Sequence, residues 1–224
     1  MMFQFKQFSV RQEQCAMKVG TDGVLLGAWA EGGPRILDVG TGTGIMALMM
    51  AQRFPESRVT GIDIDEGAVR QAQENVVASP FAGRVTVEHA SVQAFALTHE
   101  GCYDVVVSNP PFFIDALHAP DQQRNIARHT TTMSYGDLME AACRLLADDG
   151  ELSVIVPSDY RQRMEDEATF VGLFPHRVCA VRTKADIPPK RFLLSFVKHP
   201  VELEKTEMTI GDEYYQKLTC DFYL

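Results

Sequence analysis

The chain has 224 residues, of which 46% are hydrophobic and 23% charged, with a formal net charge of −9. That length allows one domain with a core large enough to stand alone, and the acidic balance argues against a protein that coats nucleic acid without specificity. No apolar run approaches membrane-spanning length, the N-terminus lacks a secretory h-region, and the five cysteines form no C-x-x-C pair, which disfavours a zinc cage or a disulfide framework and points to a reducing, cytoplasmic setting.

Hydrophobic patterning predicts strands over 35–39, 58–63, 85–90, 103–108, 151–156, 176–182 and 191–198, and helices over 23–30, 43–53, 66–78, 134–147 and 159–170. Ser134 suits the cap of the fourth helix, and Gly150 reads as the stop signal after it. Alternation of this kind predicts an α/β fold, a seven-stranded, mostly parallel sheet with helices on both faces. The connection between the last two strands, 184–190, is too short for a parallel crossover, so the last strand pair should be antiparallel. A single domain over 1–224 is expected, with 1–34 as a segment covering the substrate or cofactor.

The first strand, Arg35-Ile36-Leu37-Asp38-Val39, enters Gly40-Thr41-Gly42-Thr43-Gly44. Glycines at alternate positions permit a tight turn and close approach of a ligand to the backbone. The dinucleotide fingerprint G-x-G-x-x-G would place its third glycine at Ile45, so the spacing is instead acidic-x-G-x-G-x-G. Asp38 could then sit near an ammonium group, directly or through water. A nicotinamide cofactor has no ammonium; S-adenosylmethionine has one. The second strand ends at Asp63, 19 residues after Gly44, where an acid can accept both hydroxyls of a ribose. Asp65 better suits the cap of the following helix.

The fourth strand, Tyr103 to Ser108, runs into Asn109-Pro110-Pro111-Phe112. The prolines fix the backbone and supply no N–H groups. The carbonyls of Asn109 and Pro110 and the Asn109 side-chain oxygen can act as acceptors for an exocyclic NH2, and Phe112 offers a stacking face. The polar stretch 115–133 follows directly and is expected to cover the substrate, with Arg128-His129-Thr130 in contact with it.

Glycine turn, ribose acid and Asn-Pro-Pro-Phe stand in this order, one on each of three strands. The set resembles the class I S-adenosylmethionine-dependent methyltransferases that act on amines. The resemblance implies a Rossmann-like sheet with one reversed strand next to its edge. It also implies cofactor contacts from Asp38, Gly40, Gly42, Gly44, Asp63, Ile64, Ala90, Ser91 and Asn109, and no metal. Ser91 stands where related enzymes often carry Asp. The stretch Cys15-Ala16-Met17-Lys18-Val19-Gly20-Thr21-Asp22-Gly23-Val24-Leu25-Leu26-Gly27, with Asn109 to Phe112 and Ala127 to Thr130, looks like the bacterial tRNA1(Val) adenine-37 N6-methyltransferase family. That family implies an adenosine beside an anticodon as target, and Lys18, Thr21 and Asp22 closing over the methionine end of the cofactor. Only about 34 residues precede the first predicted strand, too few for the helical domain of release-factor glutamine methyltransferases.

Three basic groups lie in loops: Lys6, Arg11 and Lys18; Arg124, Arg128 and His129; and Arg182, Lys184, Lys190 and Arg191. They suggest a phosphate-binding rim, with Arg128, His129, Lys190 and Arg191 on the substrate. The expected partner is a tRNA anticodon loop, bound by a monomer. The amine motif also fits guanine N2 in rRNA, adenine N6 in DNA and a protein glutamine. An NAD-dependent oxidoreductase and an inactive RNA-binding scaffold are the rival readings outside this chemistry.

Overall fold

The computed structural model describes residues 2–15, 17–111 and 133–223. A short hairpin, β1 (Met2–Gln4) and β2 (Ser9–Arg11), precedes helix α1 (Thr21–Trp29). Then come β3 (Arg35–Val39), α2 (Ile45–Arg53), β4 (Arg58–Asp63), α3 (Glu66–Val77), β5 (Val85–His89), α4 (Val92–Ala96) and β6 (Tyr103–Ser108). The second half holds α5 (Tyr135–Leu145), β7 (Leu146–Pro157), α6 (Arg161–Phe170), β8 (Phe174–Arg182), β9 (Arg191–Val197), β10 (Glu204–Thr209) and α7 (Glu213–Thr219).

Eight strands form the main sheet in the order β10-β8-β9-β7-β6-β3-β4-β5. All neighbours pair parallel except β9, which runs antiparallel to both β7 and β8, as the short connection requires. Central strands are buried on both faces, from Ile36 to Val39 and from Val105 to Ser108, the pattern of a sheet covered twice. One apolar layer holds Leu25, Leu26, Leu48 and Met49 with Phe5, Phe8 and Val10. The other holds Phe95, Leu138, Met139, Leu145 and Met164.

Two expectations change. The acidic C-terminal stretch supplies an eighth strand, β10, and places β8 one strand in from the edge. Within β10 only Met208 is buried, so no alternation betrays it, and its charged side chains suit an open edge. The helix expected to reach residue 147 ends at Leu145, and β7 starts at once. Gly150 is therefore a strand residue. An added Cβ there would lie 3.1 Å from the Tyr103 carbonyl, beside the register shift between β6 and β7.

Ser134 caps α5 and Asp65 caps α3 through the Gly67 N–H, as read from the sequence, and Asp137 completes a capping box with Ser134. Pairing of Val39 with Ile62 and Ser108, and of Asp63 with His89, aligns the carboxyl ends of β3 to β6 along one edge. In open α/β sheets, ligands bind at such an edge.

Candidate active site

A cleft of about 530 Å³ opens at that edge, a volume suited to a small molecule. The turn after β3 forms its floor. Gly40, Gly42 and Gly44 take φ values of +70°, +55° and +80°, which only glycine adopts without strain. The Gly40 and Thr41 N–H groups both donate to the Ile62 carbonyl at 2.9 Å, wrapping the turn over the end of β4. An added Cβ at Gly40 would meet no atom within 4 Å, so this backbone stands open to the cleft. Gly44 instead faces α3, where an added Cβ would lie 3.3 Å from the Ala72 Cβ.

Asp38 is fully buried beneath the turn and does not line the cleft. Its Oδ2 accepts the Thr41 hydroxyl at 2.7 Å and the Ala47 N–H at 3.1 Å. Gly44 caps α2 without a side chain. Asp38 thus supplies the missing acceptor from a neighbouring strand, with its carboxylate at the positive end of the helix. Burial pushes its carboxyl up to about 7.

Asp63 lines the cleft, its two oxygens accepting the Gly42 and Asp65 N–H groups at 2.9 Å. Ile64, half exposed, and Ala90 flank it. The Ala90 N–H donates to the Asp63 carbonyl at 3.0 Å. Ser91 lies outside the cleft lining; its hydroxyl caps α4 by accepting the Ala94 N–H at 3.2 Å.

Residues 17–23 form the opposite wall. Lys18 is folded back, its ammonium donating to the carbonyls of Gln12 and Cys15. Thr21 starts α1 after Gly20, and Asp22 accepts the Arg191 Nε–H at 2.8 Å. Arg191 and Lys190 do not line the cleft. Cys15 does, and burial, with Asp63 and Asp65 adding to it, pushes its thiol up to about 11.

Asn109, Pro110 and Pro111 close the cleft beyond β6. The Asn109 Oδ1 is buried and has no hydrogen-bond partner among the described residues. Above the sheet, Ser108 Oγ donates to the Val39 carbonyl at 2.9 Å and ties this loop's strand to the strand of the glycine turn. Phe112, Arg128 and His129 lie outside the described residues.

The chain matches the methyltransferase small domain over residues 20–173. It is 47% identical to a tRNA1(Val) (adenine(37)-N6)-methyltransferase of Bacteroides fragilis, over 99% of this chain and 97% of that one. The protein of the same description from Trichodesmium erythraeum is 44% identical over the same shares. The chain belongs to this methyltransferase family. Its fold is shared with solved methyltransferases of low identity. A predicted O-methyltransferase of Agrobacterium tumefaciens superposes with a TM-score of 0.70 at 17% identity, over 90% of this chain and 96% of that one. A geranyl diphosphate C-methyltransferase of Streptomyces coelicolor, solved with S-adenosyl-L-homocysteine, gives 0.57 at 14% identity, over 78% and 75%.

In this methyltransferase the cleft gathers Lys18, Thr21, Asp22, Gly40, Gly42, Asp63, Ile64, Ala90, Asn109, Pro110 and Pro111 from the sequence expectations, and leaves Asp38, Gly44, Ser91, Lys190 and Arg191 outside its lining. Thr41, Thr43, Asp65 and Met133 line it as well. The threonines were legible as the residues between the glycines; Met133 carried no signal. Among the described residues no group of three or more His, Cys, Asp or Glu could hold a metal, and no helix is long and apolar enough to cross a membrane.

Proposed function

We propose that this methyltransferase acts on the exocyclic N6 of an adenosine in tRNA, at position 37 of tRNA1(Val), with S-adenosylmethionine as donor. The observation that carries the reading is the buried, unpartnered Asn109 Oδ1 at the wall of a glycine-lined cleft. A buried acceptor without a partner is costly unless a ligand supplies the donor.

The residues fit the donor. Asp63 keeps lone pairs free on both oxygens after accepting two backbone N–H groups, enough for two ribose hydroxyls. Ile64 and Ala90 offer apolar surface to adenine, and the bare backbone at Gly40 admits the methionine portion. Bound there, S-adenosylmethionine would supply a methyl group activated by a sulfonium. Asn109 Oδ1 and the Pro110 carbonyl would accept the two hydrogens of the target amine. This turns its lone pair out of conjugation and stabilises the positive charge that grows on nitrogen. Phe112 would stack on the base. Rigid placement by the two prolines supplies the alignment that a two-substrate reaction needs. The product ammonium loses its proton to water, so no general base is assigned.

An adenosine in an anticodon loop is already partly unstacked, which suits a chain of this size. Lys184 and Lys190 are exposed on the β8–β9 connection, beside the Arg191–Asp22 pair, and would meet RNA phosphates. The proposed setting is a monomer in the cytoplasm.

Nucleoside mass spectrometry of tRNA from cells with and without the protein tests the proposal. N6-methyladenosine at position 37 of tRNA1(Val) should disappear in its absence. An unchanged level at that position would refute the assignment of base and site.

A further inference from the structure

Helix α3 carries a buried polar stripe that the reaction does not explain. Gly67, Gln71 and Asn75 are spaced four apart and share one helix face. Residues 11–14 lie along that face. Asn75, only 2% exposed, accepts the Arg11 N–H at 2.8 Å through Oδ1. Its Nδ2 donates to the Arg11 carbonyl at 2.8 Å and to the Thr43 carbonyl at 2.9 Å. Gln71, 1% exposed, accepts the Gln14 N–H at 3.1 Å. At Gly67 an added Cβ would lie 3.1 Å from the Gln14 carbonyl.

This stripe is the last fixed point before the wall of the cleft. Upstream, Phe5, Phe8 and Val10 are buried in the core. Downstream, Met17 is 53% exposed, and Cys15 and Val19 are the apolar contacts the wall makes before α1. Polar contacts add to these: Gln12 Oε1 accepts the Val19 N–H at 2.8 Å, and Lys18 reaches back to the Gln12 and Cys15 carbonyls. Asn75 therefore grips both sides of the cleft with one amide, the strand that leads into the wall and the last threonine of the glycine turn.

We propose that Asn75, supported by Gln71, is a positioning residue that sets the distance between the N-terminal wall and the glycine turn, and thereby the affinity for S-adenosylmethionine. The proposal rests on the reading of this cleft as the cofactor site. Asn75 does not line the cleft, so its effect falls on binding and not on the reacting atoms.

The test is calorimetric titration of the full chain with S-adenosylmethionine and S-adenosylhomocysteine, for wild type, Asn75→Ala, Asn75→Asp and Gln71→Ala. Loss of hydrogen bonds worth about one tenfold step should weaken both ligands about ten-fold in Asn75→Ala and about three-fold in Gln71→Ala. Asn75→Asp keeps the acceptor for Arg11 but turns a buried carboxylate oxygen toward the Arg11 and Thr43 carbonyls, so it should weaken binding at least as much as Asn75→Ala. Turnover at saturating cofactor should stay within about two-fold, a KM effect without a kcat effect. Hydrogen exchange at the Arg11, Gln14 and Val19 amides should speed up in the same order as the loss of affinity. Affinity within about two-fold of wild type in folded Asn75→Ala would overturn the proposal. If that variant does not fold, unchanged affinity in Gln71→Ala and Asn75→Asp would overturn it. Wild-type protein that binds neither ligand would overturn the cofactor reading together with the role of Asn75, whereas wild-type binding with insensitive variants sinks the role of Asn75 alone.

Discussion

Asp63 Oδ2 accepts the Gly42 N–H at 2.9 Å, so the acid at the end of β4 holds the glycine turn at the end of β3. Its other oxygen accepts the Asp65 N–H and fixes the start of the loop into α3. One carboxylate thus shapes the cleft floor and still presents lone pairs to a ligand. Asp63→Ala removes both contacts along with the proposed ribose acceptor. Affinity for S-adenosylmethionine should fall by roughly 10- to 100-fold, read by calorimetry. Binding at wild-type strength would show that the acid serves the fold alone.

The glycine turn also has a steric requirement. Gly44 combines φ +80° with an Ala72 Cβ only 3.3 Å from where its own Cβ would stand. Gly44→Val should cost roughly 2–5 kcal/mol, from left-handed backbone strain and overpacking against α3. Thermal unfolding should report this as a lower Tm, by roughly 2–4 °C for each kcal/mol in a chain of this size. A Tm equal to wild type would mean the turn relaxes away from α3.

Asp38 gives a pH signature. Burial raises its carboxyl from the ordinary 3.8 to about 7, so the unfolded chain loses this proton first as pH rises. The folded state binds more protons across that window, and stability from this group therefore falls between pH 3.8 and about 7, then levels off. The shift corresponds to roughly 4 kcal/mol at most. Asp38→Asn, which cannot ionise, should lack this part of the slope in denaturant titrations at several pH values. Identical slopes in both proteins would show that Asp38 titrates in the folded state as in the unfolded one.

These residues also mark how far the sequence could be read. The alternate glycines, the acid 19 residues on, and Asn-Pro-Pro each follow an apolar strand, and parallel pairing brings strand ends together whatever the helices do. Position along a strand was legible; side-chain direction was not. Asp38 lies one residue before a strand end, and only the turn over it shows that its carboxylate points down to Thr41 and Ala47. The sequence likewise places Ser91 and Arg191 near ligands but does not show that one caps α4 and the other pairs with Asp22. The short hairpin, α4 and β10 escaped because elements of three to six residues carry little periodicity, and β10 pairs only with β8 and buries only Met208.

In the proposed reaction the Asn109 oxygen accepts a hydrogen of the target amine at the moment of transfer. Purified wild type and Asn109→Ala should be compared on unmodified tRNA1(Val) transcript, measuring single-turnover methylation and S-adenosylmethionine affinity together. The expected result is a loss of about a hundred-fold or more in the transfer rate, with cofactor affinity nearly unchanged. Near-normal transfer by Asn109→Ala would contradict the account.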